Sequence, residues 1–349
     1  MHANAVTRRI ALLVVLVAAL VAPVVAGAQA PKVVRLGLLS PDATFADASP
    51  LLAAFRQGLA ERGWVEGRNV EFVRRYSGGD RALFLGNAMV ALGVDLIVAA
   101  STFGARIARD ATSTIPIVFV GVSDPMGSGL VPRLDPPRGT NLAGIADVDV
   151  RSAARGLALL KQAAPAVSRV ALLANPAAPL AAPYIAEVEA AAPSLGVMIR
   201  RRNVLEPNEL PGVFAAMLRD GDQAMVVLPD PLFNALREPL LAFAAQHRIP
   251  AVYGYRSFAP AGGLMTYGTD LPDVYRRAAG LVDRILKGAA PGDLPIEGPT
   301  SFHLAINLGT AQRLRLIIPE SLRRQADQLI PPAPSPRPSS DLGRTTCTG

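Results

Sequence analysis

Residues 115–131 read IPIVFVGVSDPMGSGLV and join a buried strand to a polar turn. The first half is almost wholly apolar, which is typical of a strand covered on both faces of a parallel sheet. The apolar run stops at Gly121, and Ser123, Asp124 and Pro125 follow at once. In open parallel sheets, ligands bind outside the carboxyl ends of the strands, because backbone N–H groups of the following helices point there. The stretch therefore predicts an α/β sheet with a binding site at its edge.

The same alternation of strand and helix recurs along the chain. Four strand–helix units run up to residue 122, and the rhythm restarts after a stretch rich in Pro and Gly at residues 132–144. Continuous apolar strands separated by helices predict parallel sheets covered by helices on both faces. The chain has 349 residues, 50% of them hydrophobic, which is enough for two such units. We therefore predict an α/β fold with two Rossmann-like lobes.

One helix does not fit a simple series of two units. Residues 270–287 form an amphipathic pattern that follows the predicted strand 262–268, and no strand follows the helix directly. We expect it to return to the first lobe, although periodicity alone does not prove this return. The N-terminal lobe would then hold residues 31–144 and about 263–298, and the C-terminal lobe residues 145–262 and about 299–330. Crossover segments near Gly144, near Gly262 and near residues 298–302 would form the hinge.

The chain begins with a pattern typical of an export signal. Arg8 and Arg9 precede a run without charged residues, and Ala28 and Ala30 offer the small side chains of a cleavage site. We predict a signal peptide over residues 1–30; a membrane anchor is the alternative for the same run.

The last residues, 331–349, are rich in Pro and Ser and are predicted to be a disordered tail. This tail contains Cys347, the one cysteine of the chain, so a disulfide within the chain is impossible.

Charge and motifs exclude several classes of function. The formal net charge is +7, but the basic residues are scattered and form no stripe with interleaved aromatic residues, so we expect no nucleic-acid partner. The segment at Ser123 begins like the nucleophile elbow G-x-S-x-G, but Pro125 replaces the second glycine. A dinucleotide or phosphate-binding glycine motif is missing, and three histidines far apart suggest no metal site. We therefore predict neither a cofactor nor an enzyme.

Polar and aromatic side chains follow the predicted strands of both units. This mixture suits a small polar ligand with a flat or apolar part. The hydroxyl, amide and carboxylate groups can instead cap the next helix, and the phenylalanine can instead belong to the core. The candidate ligand contacts are Ser40, Thr44, Phe45, Ser101, Thr102, Ser123, Asp124, Asn175, Asp230 and Tyr255.

Several long segments resemble a known family. They are GWVEGRNVEF (63–72), the stretch 115–131, GGLMTYGTDLPDVYRRAAGLVDRILKG (262–288), DLPIEGPTSFHLAINLGTA (293–311) and IPESLRRQAD (318–327). They look like segments of the substrate-binding proteins of ABC transporters that have the class I periplasmic-binding fold. Family members usually have a Leu-Gly pair near the C-terminus, where this chain has RLRLIIP.

The resemblance implies two lobes that hold an amino-acid-like ligand in their cleft, and the better understood members often bind aromatic amino acids. Ser123 and Asp124 would lie on the first-lobe wall, and Asn175 and Asp230 on the second. The resemblance also implies a monomer that delivers its ligand to permease and ATPase subunits. The leader lacks a lipoprotein cysteine, which suggests a free periplasmic protein. A ligand sensor for a membrane receptor, or a two-lobed α/β enzyme, remains the alternative.

Overall fold

The computed structural model describes residues 33–40, 43–76 and 82–332. The predicted signal peptide (residues 1–30) lies outside these ranges, as does the predicted tail from residue 333 onward. No helix within the described ranges is both long enough and apolar enough to span a membrane.

The first lobe contains a five-stranded parallel sheet with the strand order β2-β1-β3-β4-β5. Its middle strands are almost completely buried because helices cover both faces of the sheet. The strands are β1 (Val34–Ser40), β2 (Val70–Tyr76), β3 (Leu96–Ala100), β4 (Ile117–Val122) and β5 (Leu142–Ala146). The helices are α1 (Pro50–Ala60), α2 (Ala82–Ala91) and α3 (Ser101–Ala111), with a 3₁₀ turn at Ala43–Phe45.

Strand β5 lies at the end of the Pro/Gly-rich stretch that the sequence pattern predicts as a connection. It pairs in parallel with β4, and all five of its residues are buried. Gly144 allows this pairing, because a Cβ at that position would lie 2.4 Å from the ring of Phe119. The first lobe therefore has one more strand than the sequence predicts.

The second lobe contains a seven-stranded sheet with the order β12-β11-β10-β9-β8-β6-β7. This sheet is mixed rather than purely parallel, because β10 and β11 run antiparallel. Its strands are β6 (Arg169–Ala174), β7 (Met198–Asn203), β8 (Ala224–Val227), β9 (Ala251–Tyr253), β10 (Met265–Thr269), β11 (Phe302–Asn307) and β12 (Gln328–Ile330). The helices from here to the end of the described chain are α4 (Arg151–Ala163), α5 (Ala181–Ala191), α6 (Leu210–Asp220), α7 (Pro231–Ala235), α8 (Arg237–Gln246), α9 (Leu271–Leu286), α10 (Leu308–Arg313) and α11 (Glu320–Gln325).

Helix α9 follows the second sheet in sequence but packs on the first lobe. Its apolar face joins the core cluster that contains Leu36, Leu52 and Phe55. The contact with α1 is close because Gly58 has no side chain: a Cβ there would lie 2.3 Å from the carbonyl oxygen of Arg276. The indole of Trp64 also donates a hydrogen bond of 2.9 Å to Asp283 on α9.

Strand β10 differs from the expected division of the chain. The residues from about 263 onward are predicted for the first lobe, but β10 pairs with β9 and β11 in the second sheet. That prediction is wrong for this strand, and the chain crosses after Thr269 rather than near Gly262. An apolar strand pattern predicts that a strand is buried, but it does not predict which sheet the strand joins.

Three crossover segments connect the lobes and contact one another. Ala146 donates its backbone N–H to Glu297 at 2.8 Å, and Asp270 donates to Ser301 at 3.0 Å. The hydroxyl of Thr269 donates to the backbone carbonyl of Asp147. The segment at residues 146–150 is therefore held against the other two crossovers.

Candidate ligand-binding cleft

A cleft of about 720 Å³ lies between the lobes, at the carboxyl ends of both sheets. This volume is within the range of about 300–1,000 Å³ that is usual for small-molecule sites. Six of the predicted contacts line it: Thr102, Ser123, Asp124, Asn175, Asp230 and Tyr255.

The first-lobe wall is formed where β3 and β4 end. Thr102 belongs to the first turn of α3, and Ser123 lies directly beyond β4. Asp124 has a structural role as well as a place in the cleft wall. Its Oδ1 accepts a hydrogen bond of 2.8 Å from the backbone N–H of Gly127, which closes the turn. A Cβ at Gly127 would lie 2.0 Å from the other carboxylate oxygen, so this tight turn needs glycine.

The second-lobe wall is formed by the residues that follow β6, β8 and β9. Asp230 begins α7, and its Oδ1 accepts a hydrogen bond of 2.8 Å from the backbone N–H of Leu232. The side-chain amide of Asn175 lies 3.4 Å from Oδ1 and 3.3 Å from Oδ2 of Asp230. Asp230 is therefore a helix cap whose carboxylate also faces the cleft, where only 6% of the residue is exposed.

Asp147, on the first crossover, is the main cleft residue that the sequence does not predict. Its Oδ1 is buried and has no hydrogen-bond partner among the described residues. Burial raises the pKa of this carboxyl above its ordinary value, and a hydrogen bond from Ser123 acts in the opposite direction. A buried carboxylate without a cation nearby is a group that a positively charged ligand atom would stabilise. A signal was present, since the sequence GIAD places Asp147 directly after a short apolar run.

Three tyrosines give the cleft aromatic surface: Tyr184, Tyr255 and Tyr267. Burial raises the pKa of Tyr255 to about 12, and the charges of Asp230 and Asp147 add to this increase. Burial also raises the pKa of Tyr184, although a hydrogen bond with Ser152 opposes the change. These phenols are neutral at physiological pH and can donate hydrogen bonds.

Four predicted contacts do not line the cleft. Ser40 is 1% exposed, and Phe45 is completely buried in the first-lobe core, with its ring centroid 5.9 Å from that of Tyr275. Ser101 has a φ of 65°, and its hydroxyl accepts a long hydrogen bond of 3.4 Å from the backbone N–H of Gly104. Thr44 lies beside Phe45 and is also away from the cleft.

The cleft has the composition of a binding site. Its polar side chains are carboxylates, hydroxyls, the amide of Asn175 and the guanidinium of Arg256, set among Leu, Pro, Val and Tyr side chains. Within residues 33–40, 43–76 and 82–332, no three His, Cys, Asp or Glu side chains lie close enough together to hold a metal ion. Such a cleft can enclose a ligand that has one cationic group and an apolar body.

Comparisons with known proteins agree with this geometry. Residues 48–330 match the model of a family described as ABC transporter substrate binding protein. A protein named tyrosine-binding protein from Clostridioides difficile (strain R20291) is 24% identical over 262 residues, which cover 74% of this chain and 75% of the relative.

Solved structures show the same architecture. A conserved domain protein from Vibrio cholerae has a TM-score of 0.68 and 26% identity, with 85% of this chain and 100% of that chain covered. An ABC domain from Streptococcus pneumonia in complex with L-Trp has a TM-score of 0.69 and 25% identity, with 85% and 99% covered. The predicted fold is confirmed as that of class I periplasmic binding proteins. The match over most of its length shows that the chain belongs to the ABC transporter substrate-binding protein family, whose members are solute-binding proteins rather than enzymes.

Proposed function

We propose that this protein is the extracytoplasmic binding component of an ABC importer, and that its interlobe cleft holds an amino acid with an aromatic side chain. The observation that carries the proposal is the buried Oδ1 of Asp147, which has no partner among the described residues and lies in a cleft with aromatic walls. Two relatives support the ligand class: one is named for tyrosine, and the other was solved with L-Trp.

Each part of an amino acid has a matching group in the cleft. The ammonium group pairs with the carboxylate of Asp147, which removes the cost of an unpaired buried charge. The carboxylate of the ligand accepts a hydrogen bond from a hydroxyl on the first-lobe wall, such as that of Thr102. The aromatic ring lies against the tyrosine surface formed by Tyr184 and Tyr255.

The biological setting follows from this role. The protein acts outside the cytoplasm as a monomer, after removal of residues 1–30, and it delivers ligand to permease and ATPase subunits. N-terminal sequencing of periplasmic material should begin at Pro31. Recovery of the uncleaved chain in the membrane fraction would contradict this placement.

Isothermal titration calorimetry tests the ligand class. L-Tyrosine, L-tryptophan and L-phenylalanine are titrated beside L-leucine and 3-(4-hydroxyphenyl)propionate, which lacks the ammonium group. The aromatic amino acids should bind, and the propionate should bind at least about 100-fold more weakly than tyrosine, because Asp147 then stays unpaired.

Asp147→Asn should weaken binding of tyrosine by a similar factor. Asp149→Asn is the matched control, because Asp149 lies two residues further along the same segment and is paired with Arg151. The control should leave affinity within about threefold. Equal binding of tyrosine and the propionate by the unaltered protein would show that Asp147 does not recognise an ammonium group.

A further inference from the structure

Asp230 has hydrogen-bonding capacity that the described residues do not fill. Its carboxylate offers about four acceptor positions. One is used by the backbone N–H of Leu232 at 2.8 Å. The amide of Asn175 lies 3.3 and 3.4 Å from the two oxygens, beyond the usual N–H···O range of about 2.7–3.2 Å. Among the described residues, Oδ2 therefore has only one long contact, although just 6% of Asp230 is exposed.

Asp230 and Asp147 lie at separate places in the same cleft. Asp147 is on the first crossover, and Asp230 follows β8 on the second-lobe wall. The charges of both carboxylates help to raise the pKa of Tyr255, which lines the same cleft. A ligand in this cleft can thus meet both carboxylates, one on the first crossover and one on the second-lobe wall.

We propose that Asp230 selects ligands that carry a hydrogen-bond donor on the ring, at the end remote from the ammonium group. This inference rests on the proposed function and specifies the ligand class of the same site. The ring donor is a phenol hydroxyl or another O–H or N–H group at an equivalent position. The hydrogen bond from Leu232 fixes the carboxylate of Asp230, and the amide of Asn175 lies 3.3 Å from its Oδ2.

The carboxylates of Asp147 and Asp230 have different surroundings, and this difference decides which end of the ligand each one binds. The Oδ1 of Asp147 is buried and has no hydrogen-bond partner among the described residues, so a ligand group with a full positive charge suits it best. Asp230 already accepts a hydrogen bond of 2.8 Å from Leu232 and has a long contact with Asn175, so a neutral donor is sufficient to fill the remaining position.

Asp230 can discriminate between ligands with and without a ring donor because an ionised carboxylate only accepts hydrogen bonds. A ligand without a ring donor excludes water from Asp230 and leaves Oδ2 with the long Asn175 contact alone. A missing hydrogen bond to a charged acceptor corresponds to about a 10- to 100-fold loss of affinity. Phenylalanine should therefore bind about 10- to 100-fold more weakly than tyrosine, and 4-aminophenylalanine should bind nearly as well as tyrosine.

Asp230→Asn is the variant that tests the selectivity. Asparagine is a good N-cap and can keep the bond to Leu232, but it replaces one acceptor by an amide donor. The affinity ratio of tyrosine to phenylalanine should fall to about three or less, mainly because tyrosine is bound more weakly. Asp230→Ser, which also caps helices, is a second variant with the same expectation.

Asp149→Asn is a closely matched control. Asp149 also accepts a backbone N–H two residues further on, from Arg151 at 3.0 Å, and its charge also acts on Tyr184. Asp149→Asn removes one negative charge, as Asp230→Asn does, but Asp149 does not line the cleft. The control should keep the ratio of the unaltered protein, and thermal melting of all variants shows whether the caps are retained.

The outcomes separate this inference from the proposed function. If no aromatic amino acid binds, the proposed function fails. If tyrosine binds but the unaltered protein does not prefer it to phenylalanine, or if both Asp230 variants keep the preference, the role of Asp230 is refuted. Loss of the preference in Asp147→Asn, with its retention in Asp230→Asn, would show that the ligand lies in the reverse direction.

Discussion

Phe45 and Phe103 both follow strands of the first sheet, but the structure gives them opposite surroundings. Phe45 is completely buried, whereas Phe103 is 50% exposed. Phe45 lies between α1 and α9: its ring centroid is 6.4 Å from that of Phe55 and 5.9 Å from that of Tyr275. We predict that Phe45→Ala unfolds the first lobe far more easily than Phe103→Ala does.

The magnitude follows from burial. Phe→Ala in a core costs about 3–5 kcal/mol, because buried surface is lost and a cavity remains. Both aromatic neighbours of Phe45 are themselves buried, so the site cannot collapse easily and the upper part of this range applies. Phe103→Ala should change the free energy of unfolding by no more than about 0.5 kcal/mol. Phe45→Leu retains part of the packing and should cost about 1–2 kcal/mol, which keeps a folded variant available.

Trp64 provides the assay because it is the single tryptophan of the chain. It packs against the same core cluster as Phe45, and its indole is bonded to Asp283 on α9. Guanidinium denaturation followed by tryptophan fluorescence therefore reports the unfolding of the first lobe. Affinity for the ligand found by calorimetry should stay within about threefold for Phe45→Leu, since Phe45 does not line the cleft.

Two results would refute this reasoning. Equal loss of stability in Phe45→Ala and Phe103→Ala would mean that the two side chains have similar surroundings. A large loss of affinity in Phe45→Leu with an unchanged free energy of unfolding would mean that Phe45 contacts ligand after all.

Two further predictions concern a titration and a backbone conformation. Burial raises the pKa of Asp147, so the folded protein favours the protonated carboxyl. The contribution of this protonated form to the free energy of unfolding is fully present below the unfolded pKa of about 4, and it is lost as the pH rises through the folded pKa. Without ligand, Asp147→Asn should therefore melt above the unaltered protein at pH 8 and together with it near pH 4; a constant difference across this range would contradict the assigned cause. Arg248 is exposed and has a φ of 54° just after α8, a conformation that favours glycine. Arg248→Gly should raise the free energy of unfolding by about 0.5–1 kcal/mol in urea titrations, and a decrease would show that the arginine side chain makes stabilising contacts.

The sequence by itself determines the alternation of strands and helices and several of the residues that line the cleft. Apolar runs and helical periodicity are local properties, so they predict the alternating strands and helices of both lobes. Polar residues that follow a strand lie near its carboxyl end, which is where Ser123, Asn175 and Asp230 line the cleft, although Ser101, directly after β3, does not. The resemblance of separate sequence segments also identifies the family, because the match extends along almost the whole described chain.

Only the tertiary structure decides which elements become neighbours. Strand β10 and helix α9 are adjacent in sequence, but the strand joins the second sheet and the helix packs on α1 of the first lobe. Phe45 is a core residue because a helix more than 200 residues away covers it. The Oδ1 of Asp147 is buried because its crossover is held against residues that come 122 or more positions later, including Thr269. Burial of a side chain depends on contacts between distant segments, and local sequence patterns do not contain this information.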